Sequence, residues 1–150
     1  MVCLGNICRS PIAEGTMKSR LQQMGIDSHV DSAGILSYHV GEAPDSRAVK
    51  ISARYKVDIS KQVARKIKPT DFDEFDFIFA MDQSVFNSLN TLTKNTAQFK
   101  KLHLFLEYAG FKAGAEVPDP YYDELEAFDK VYKLVDEACI KIINKWYPES

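Results

Sequence analysis

Short strand-like segments alternate with helical ones along this chain, and that alternation constrains its fold more than any other feature. Ser10 caps a first helical pattern and Pro11 supplies its preset first-turn dihedral; Ala13, Met17, Leu21 and Met24 then recur at helical spacing before Gly25. "HVDSAG" follows as a short strand ending near Ala33 and Gly34, and the next loop, with Tyr38, Gly41 and Pro44, is a credible rim for a site. Asp45 caps a second helix through roughly Tyr55, and a further short helical piece after Ser60 carries Val63, Ala64 and Ile67 until Pro69 ends it. "FDFIFAM" has the length and aromatic content of a buried strand despite Asp76; Asp82 then starts a short helix with Val85, Phe86 and Leu89. "FKKLHLFLEY" reads as another strand followed by a loop. In the last helix Phe128, Val131, Val135, Ala138, Ile142 and Trp146 share one stripe, with Cys139 and Ile143 beside it.

Strands alternating with helices predict an α/β sandwich, a mostly parallel sheet with helices on both faces. The 150 residues, 45% of them hydrophobic, suffice for one core, and no repeat, low-complexity tract or linker divides them, so residues 1–150 read as a single domain. One strand is anomalous. If the loop after Met1 and Val2 follows a parallel strand, only those residues remain to form it, whereas strands usually run about five or six. Either this strand is unusually short or the natural chain begins earlier.

Nineteen basic and twenty-one acidic residues give a net charge of -2, which disfavours a wholly cationic nucleic-acid binder. Asn6, Arg9, Ser10, Glu14 and Lys18 interrupt any secretory hydrophobic region, and the longest apolar run, Phe77 to Met81, is far too short to cross a bilayer. Three cysteines do not make a disulfide scaffold. A soluble protein of a reducing compartment, the cytoplasm by default, is expected.

Two of those cysteines, Cys3 and Cys8, lie in "VCLGNICRSP", where Cys3 and Arg9 are separated by five residues and a helix start follows. The backbone N–H groups of Leu4, Gly5, Asn6, Ile7, Cys8 and Arg9 can wrap an anion at the positive end of the helix, and Arg9 adds a planar fork. Gly5 permits close backbone approach, and Asn6 is among the non-glycine residues best suited to a left-handed conformation. The same field stabilises a Cys3 thiolate, which makes Cys3 a candidate nucleophile toward phosphorus. The motif differs from the GxxxxGK[ST] nucleotide loop, which needs a lysine absent here. The plainer alternatives are a buried Cys3 at a strand end and a surface Arg9.

In order and separation, "VCLGNICRSP", "DSAG", "FDFIFAMD" and "DPYY" resemble the low-molecular-weight protein tyrosine phosphatase family over nearly the whole chain. The resemblance implies a four-stranded parallel sheet in a Rossmann-like sandwich and two-step hydrolysis of protein phosphotyrosine through cysteinyl phosphate. It implies phosphotyrosine-containing proteins as partners, inorganic phosphate as product, and no metal or organic cofactor. Carried onto this chain, Cys3 is the nucleophile, Arg9 binds the phosphoryl group and Asp119 is general acid and later base. Protonating the bridging oxygen improves tyrosine as a leaving group, and Pro118 and Pro120 constrain the loop that holds Asp119. By residue type alone, Asp119 could equally be an ordinary acidic turn.

The resemblance also assigns supporting positions. Ser10 becomes a hydroxyl donor to Cys3 as well as a cap, and Asn6 and Ser32 join a hydrogen-bond network holding the loop. That network usually includes a histidine where this chain has Gln62; an amide can keep a hydrogen bond but not the titratable charge. Val85 stands where asparagine is common. Cys8 fills space beneath the loop or captures oxidised Cys3 as a protective disulfide, and Cys139 reads as core. Tyr38, Tyr121 and Tyr122 wall the opening, where their rings can sandwich a phosphotyrosyl group. Ile7 fits the phosphotyrosine branch, whereas phosphoarginine-directed members tend to have threonine there.

Three alternatives compete with this reading: a phosphoarginine phosphatase, a non-enzymatic phosphate-reading module, and an arsenate reductase, which would need further relay cysteines. His29, His39 and His103 are dispersed and form no metal motif. Arg47, Lys50, Arg54, Lys56, Lys61, Arg65, Lys66 and Lys68 form a basic stretch, read as the solvated side of two helices with no dedicated nucleic-acid or membrane partner.

Overall fold

The computed structural model describes residues 1–149. In chain order its elements are β1 (Val2–Cys3), α1 (Arg9–Gln23), β2 (Ala33–Gly34), α2 (Ser46–Arg54), α3 (Asp71–Glu74), β3 (Ile78–Ala80), α4 (Gln83–Leu92), α5 (Thr96–Phe99), β4 (Leu102–Leu104), α6 (Phe105–Tyr108) and α7 (Leu125–Trp146). The four strands form one parallel sheet in the order β2-β1-β3-β4, with Val2 opposite both Ala33 and Ala80, and Ile78 opposite Leu102.

Successive side chains of a strand point to opposite faces. Cys3 and Phe79 therefore enter the core made with α1, α2 and α7, while Val2, Ile78, Ala80 and Leu102 enter a second core with Phe72, Val85 and Leu89. This is the expected three-layer sandwich. The two-residue β1 holds the centre of the sheet because it is paired on both edges: Met1, Cys3 and Leu4 carbonyls accept from Ala33, Ile35 and Leu36, and the Val2 carbonyl accepts from Met81.

Four local expectations change. Helix α1 begins at Arg9 with Cys8 as its cap residue and no side-chain capping bond, so Ser10 lies inside the first turn and does not cap it. Pro11 still costs no hydrogen bond, since first-turn N–H groups have no intrahelical acceptor. Residues 60–69 form no helix: the Gly34 N–H donates to the Arg65 carbonyl at 2.8 Å and the Ile67 N–H to the Gly34 carbonyl at 2.9 Å. Pairing with a sheet edge satisfies a segment too short to nucleate a helix unaided. Met24 follows the end of α1 and is exposed, so the buried stripe ends at Leu21. A helical turn, α6, rather than a loop follows β4 directly and buries Phe105 and Leu106; α5, capped by Asn95, was not foreseen.

Among the described residues, no helix is long and apolar enough to cross a membrane.

Candidate active site

From β1 the chain crosses to β2 on one side and later to β3 on the other, so the carboxyl end of β1 is the point at which strand order reverses. Open parallel sheets form a crevice there. The loop from Cys3 to Arg9 leaves β1 at this point and runs into α1. Asn6 has φ 57°, the left-handed conformation its residue type tolerates. Among the described residues, the backbone N–H groups of Gly5, Asn6, Ile7 and Cys8 donate to no protein acceptor, as an anion cradle requires. Gly34 makes close packing possible: a Cβ there would lie 3.0 Å from the Leu4 carbonyl oxygen and 3.1 Å from the Asn6 nitrogen.

A directed chain of hydrogen bonds supports the loop. The Arg65 backbone N–H can only donate, and it reaches Asn6 Oδ1 at 3.1 Å, which turns Asn6 Nδ2 toward Ser10 Oγ at 2.8 Å and Ser32 Oγ at 2.9 Å. Ser32 then donates to Glu14 Oε1 at 2.7 Å. The Ser32 rotor is thus set by a donor on one side and a carboxylate on the other. Ser10 Oγ, accepting from Asn6, also lies 2.9 Å from Cys3 Sγ, where its hydroxyl can donate once the sulfur is a thiolate. Such buried, fully satisfied networks hold one geometry.

Glu14 is a member that the sequence did not reveal. It sits on α1, 5% exposed, with Lys18 Nζ 3.2 Å from its second oxygen. Gln62 does not enter the network. Its Nε2 donates to the Pro11 carbonyl at 3.1 Å, bracing the first turn of α1, while its buried Oε1 has no partner.

Arg9 is 3% exposed and anchored from both sides, donating to Asp82 Oδ2 at 2.7 Å and to the Val117 carbonyl at 3.1 Å. Burial opposes its charge, but Cys3, Asp82 and Asp119 outweigh that penalty and hold its pKa above the ordinary arginine value. Asp82 also caps α4 through the Val85 N–H. Its place before a helical pattern marks only the cap. Val117 continues past the end of β3 by donating to the Met81 carbonyl at 2.9 Å, and two residues later Asp119 Oδ2 lies 3.7 Å from Arg9 Nη2. Residues 3, 9 and 119 therefore meet at one end of the sheet.

Cys8 is buried beneath the loop, and burial raises its thiol pKa far above the usual range; Cys139, deep in the α7 core, is raised for the same reason. All three cysteines are free thiols. Tyr38 and Tyr122 are 85% and 93% exposed, Tyr121 is 37% exposed, and His39 lies between Tyr38 and Tyr121 at ring distances of 4.8 and 6.4 Å. His39, bonded to Glu42, packs over Gly5, where a Cβ would meet its ring at 3.1 Å. In the sequence it is one of three dispersed histidines, and the tertiary fold brings it to the loop. Val85 is buried in the second core. Arg47 and Arg65, read as part of a solvated basic face, are instead paired with Asp45 and with Asp31 and Asp71. The Arg47 hydrogen bond holds the Asp45 carboxyl below the usual carboxylate range.

This site combines a thiol, a buried guanidinium, free backbone N–H groups and a nearby carboxyl, the set that transfers a phosphoryl group to sulfur and then to water. The model of the family described as low molecular weight phosphotyrosine protein phosphatase matches residues 1–148. A low molecular weight phosphotyrosine protein phosphatase 2 from Drosophila melanogaster is 41% identical over 149 residues, covering 97% of this chain and 89% of that protein. The crystal structure of a protein tyrosine phosphatase from Entamoeba histolytica superposes with a TM-score of 0.89 at 36% identity, covering 97% of this chain and 93% of the other. A Drosophila arginine phosphatase superposes with a TM-score of 0.91 at 29% identity, covering 99% and 97%. The chain belongs to the low molecular weight phosphotyrosine protein phosphatase family.

Proposed function

We propose that this protein hydrolyses protein phosphotyrosine in two steps, with Cys3 as nucleophile, Arg9 as oxyanion clamp and Asp119 as acid and then base. In the first step the Cys3 thiolate attacks phosphorus, an S–P bond forms and the P–O bond to tyrosine breaks as Asp119 donates its proton to the leaving oxygen. The equatorial phosphoryl oxygens are held by the N–H groups of residues 4–9 and by Arg9, where charge accumulates. In the second step Asp119 takes a proton from water, the water oxygen attacks phosphorus, and the S–P bond breaks. Sulfur leaves as a thiolate stabilised by the Ser10 hydroxyl. Phosphate is released.

The observation that carries this reading is the convergence of the Ser10-bonded Cys3 sulfur and the Arg9 guanidinium, with Asp119 3.7 Å from that guanidinium. A tyrosyl ester suits the depth of the nucleophile: Cys3 is 3% exposed, while Tyr38 and Tyr122 stand out at the rim. Wild type should turn over a small aryl phosphate with vanadate inhibition, and Cys3→Ser should fold yet be inert. A folded wild type without turnover between about pH 5 and 8 refutes the reading.

The likeness to an arginine phosphatase supports a second reading, phosphoarginine as substrate. Ile7 favours tyrosine over it, and a panel of phosphotyrosyl and phosphoarginyl peptides separates the two. Stoichiometric phosphopeptide binding without hydrolysis would instead identify a phosphate-reading module. We further propose that Cys8 closes a disulfide with Cys3 once Cys3 has been oxidised.

A further inference from the structure

The loop carrying Asp119 has few internal ties. Its start is fixed by Val117 on Met81, the Asp123 N–H donates to the Pro120 carbonyl at 2.9 Å, and the Tyr121 N–H donates to Asp119 Oδ1 at 3.2 Å. The carbonyls of Tyr121 and Asp123 both accept from one distant side chain, Arg47 on α2, through Nη2 and Nη1, each at 2.9 Å.

Arg47 is itself held rigidly. Its Nε and Nη2 donate to the two oxygens of Asp45 at 2.9 and 2.8 Å, and its guanidinium lies 4.4 Å over the buried Phe128 ring. Asp45 in turn donates its backbone N–H to the Ile7 carbonyl at 2.8 Å. One planar fork thus joins the loop of Cys3 to the loop of Asp119. A lysine could not replace it, because a single ammonium cannot serve a bidentate carboxylate and two carbonyls in fixed directions.

We infer that Arg47 is a positioning residue for general acid catalysis, tying residues 121–123, and with them Asp119, to the nucleophile loop through Asp45. The inference rests on the proposed role of Asp119. An acid that drifts by about 1 Å can cost on the order of a hundredfold in rate, although Arg47 itself touches neither substrate nor sulfur. Because Arg47 holds residues 121 and 123 beside Asp119, the effect is specific to proton transfer. Steps needing a proton should suffer, and those needing none should not.

The test compares wild type, Arg47→Ala and Arg47→Lys on phenyl phosphate, a poor leaving group, and 2,4-dinitrophenyl phosphate, which leaves without protonation. Both variants should lose about 10- to 100-fold in kcat/KM on the first ester and less than about threefold on the second. Adding Arg47→Ala to Asp119→Asn should cause little further loss, because the two act as one unit. Amide exchange across residues 119–124 should quicken in both variants. Equal losses on the two esters, or full additivity with Asp119→Asn, overturns the inference, as does unchanged exchange. If wild type hydrolyses neither ester, the phosphatase reading is what fails, and the exchange arm then decides whether Arg47 holds the loop.

Discussion

Glu14 is the acceptor that ends the Ser32 branch of the hydrogen-bond network, and its removal can be weighed from the structure. Ser32 Oγ accepts from Asn6, so its only hydrogen goes to Glu14 Oε1 at 2.7 Å. Replacing Glu14 by alanine strands that hydroxyl, 5% exposed at Ser32, without an acceptor. A hydrogen bond to a charged group contributes about 1.5–3 kcal/mol, and an unsatisfied buried donor costs a similar amount. The Lys18 contact adds little, because that lysine is 45% exposed and surface pairs contribute about 0–1 kcal/mol. Glu14→Ala should therefore lose about 2–3 kcal/mol, whereas Glu14→Gln, which keeps a neutral acceptor, should lose about 1 kcal/mol. Urea unfolding with an unchanged m-value measures the difference, and the same losses should lower Tm by about 2–4 °C per kcal/mol. Because the Ser32 branch and the Ser10–Cys3 branch share Asn6, kcat/KM for an aryl phosphate should fall about tenfold in Glu14→Ala and less in Glu14→Gln. If both variants unfold within about 0.5 kcal/mol of wild type, the Ser32–Glu14 bond contributes nothing and the reasoning is refuted.

Gly34→Ala should destabilise the protein by about 1–3 kcal/mol and weaken vanadate inhibition, since the new methyl group meets the Leu4 carbonyl oxygen at 3.0 Å and loop backbone has nowhere to go. After peroxide inactivation, wild type should recover on thiol reduction while Cys8→Ala stays inactive through further oxidation of Cys3; equal recovery removes the protective role. His103, whose pKa is lowered first by burial and then by Lys145, should make stability pH-dependent. The unfolded chain binds its proton below about pH 6.5 while the folded chain does not, so stability is full above that value and declines as pH falls toward the folded-state pKa. His103→Phe should flatten that slope between pH 7.5 and 5.5, read as Tm against pH.

Most elements were legible because they depend on local chemistry. Asp45 and Asp82 cap their helices through side-chain oxygens, as their residue type favours, and the stripe of α7 needs only a helical period. Ser10 does not cap α1 because the helix already starts at Arg9, and the hydroxyl turns back to Asn6 and Cys3 of the preceding loop. Residues 60–69 failed because the edge at Gly34 supplied hydrogen bonds that a local pattern cannot announce. In the site, Cys3 and Arg9 stand out through spacing within one loop. Asp119 was assignable only through the resemblance, since an acidic turn residue carries no local signature.

Local pattern supplies the pieces: a cysteine-to-arginine loop running into a helix, a left-handed position suited to asparagine, and an apolar run, "FIFAM", that reads as a buried strand. Which distant groups face that loop depends on how the chain folds back on itself. Glu14, Asp82, His39 and Arg47 are ordinary polar residues by local pattern, and each takes its place because parallel strands and crossover helices bring residues far apart in sequence to one end of the sheet. Hydrogen-bond direction works the same way. A hydroxyl can donate or accept, and which it does at Ser32 is set by Asn6 and Glu14, which the chain supplies from elsewhere.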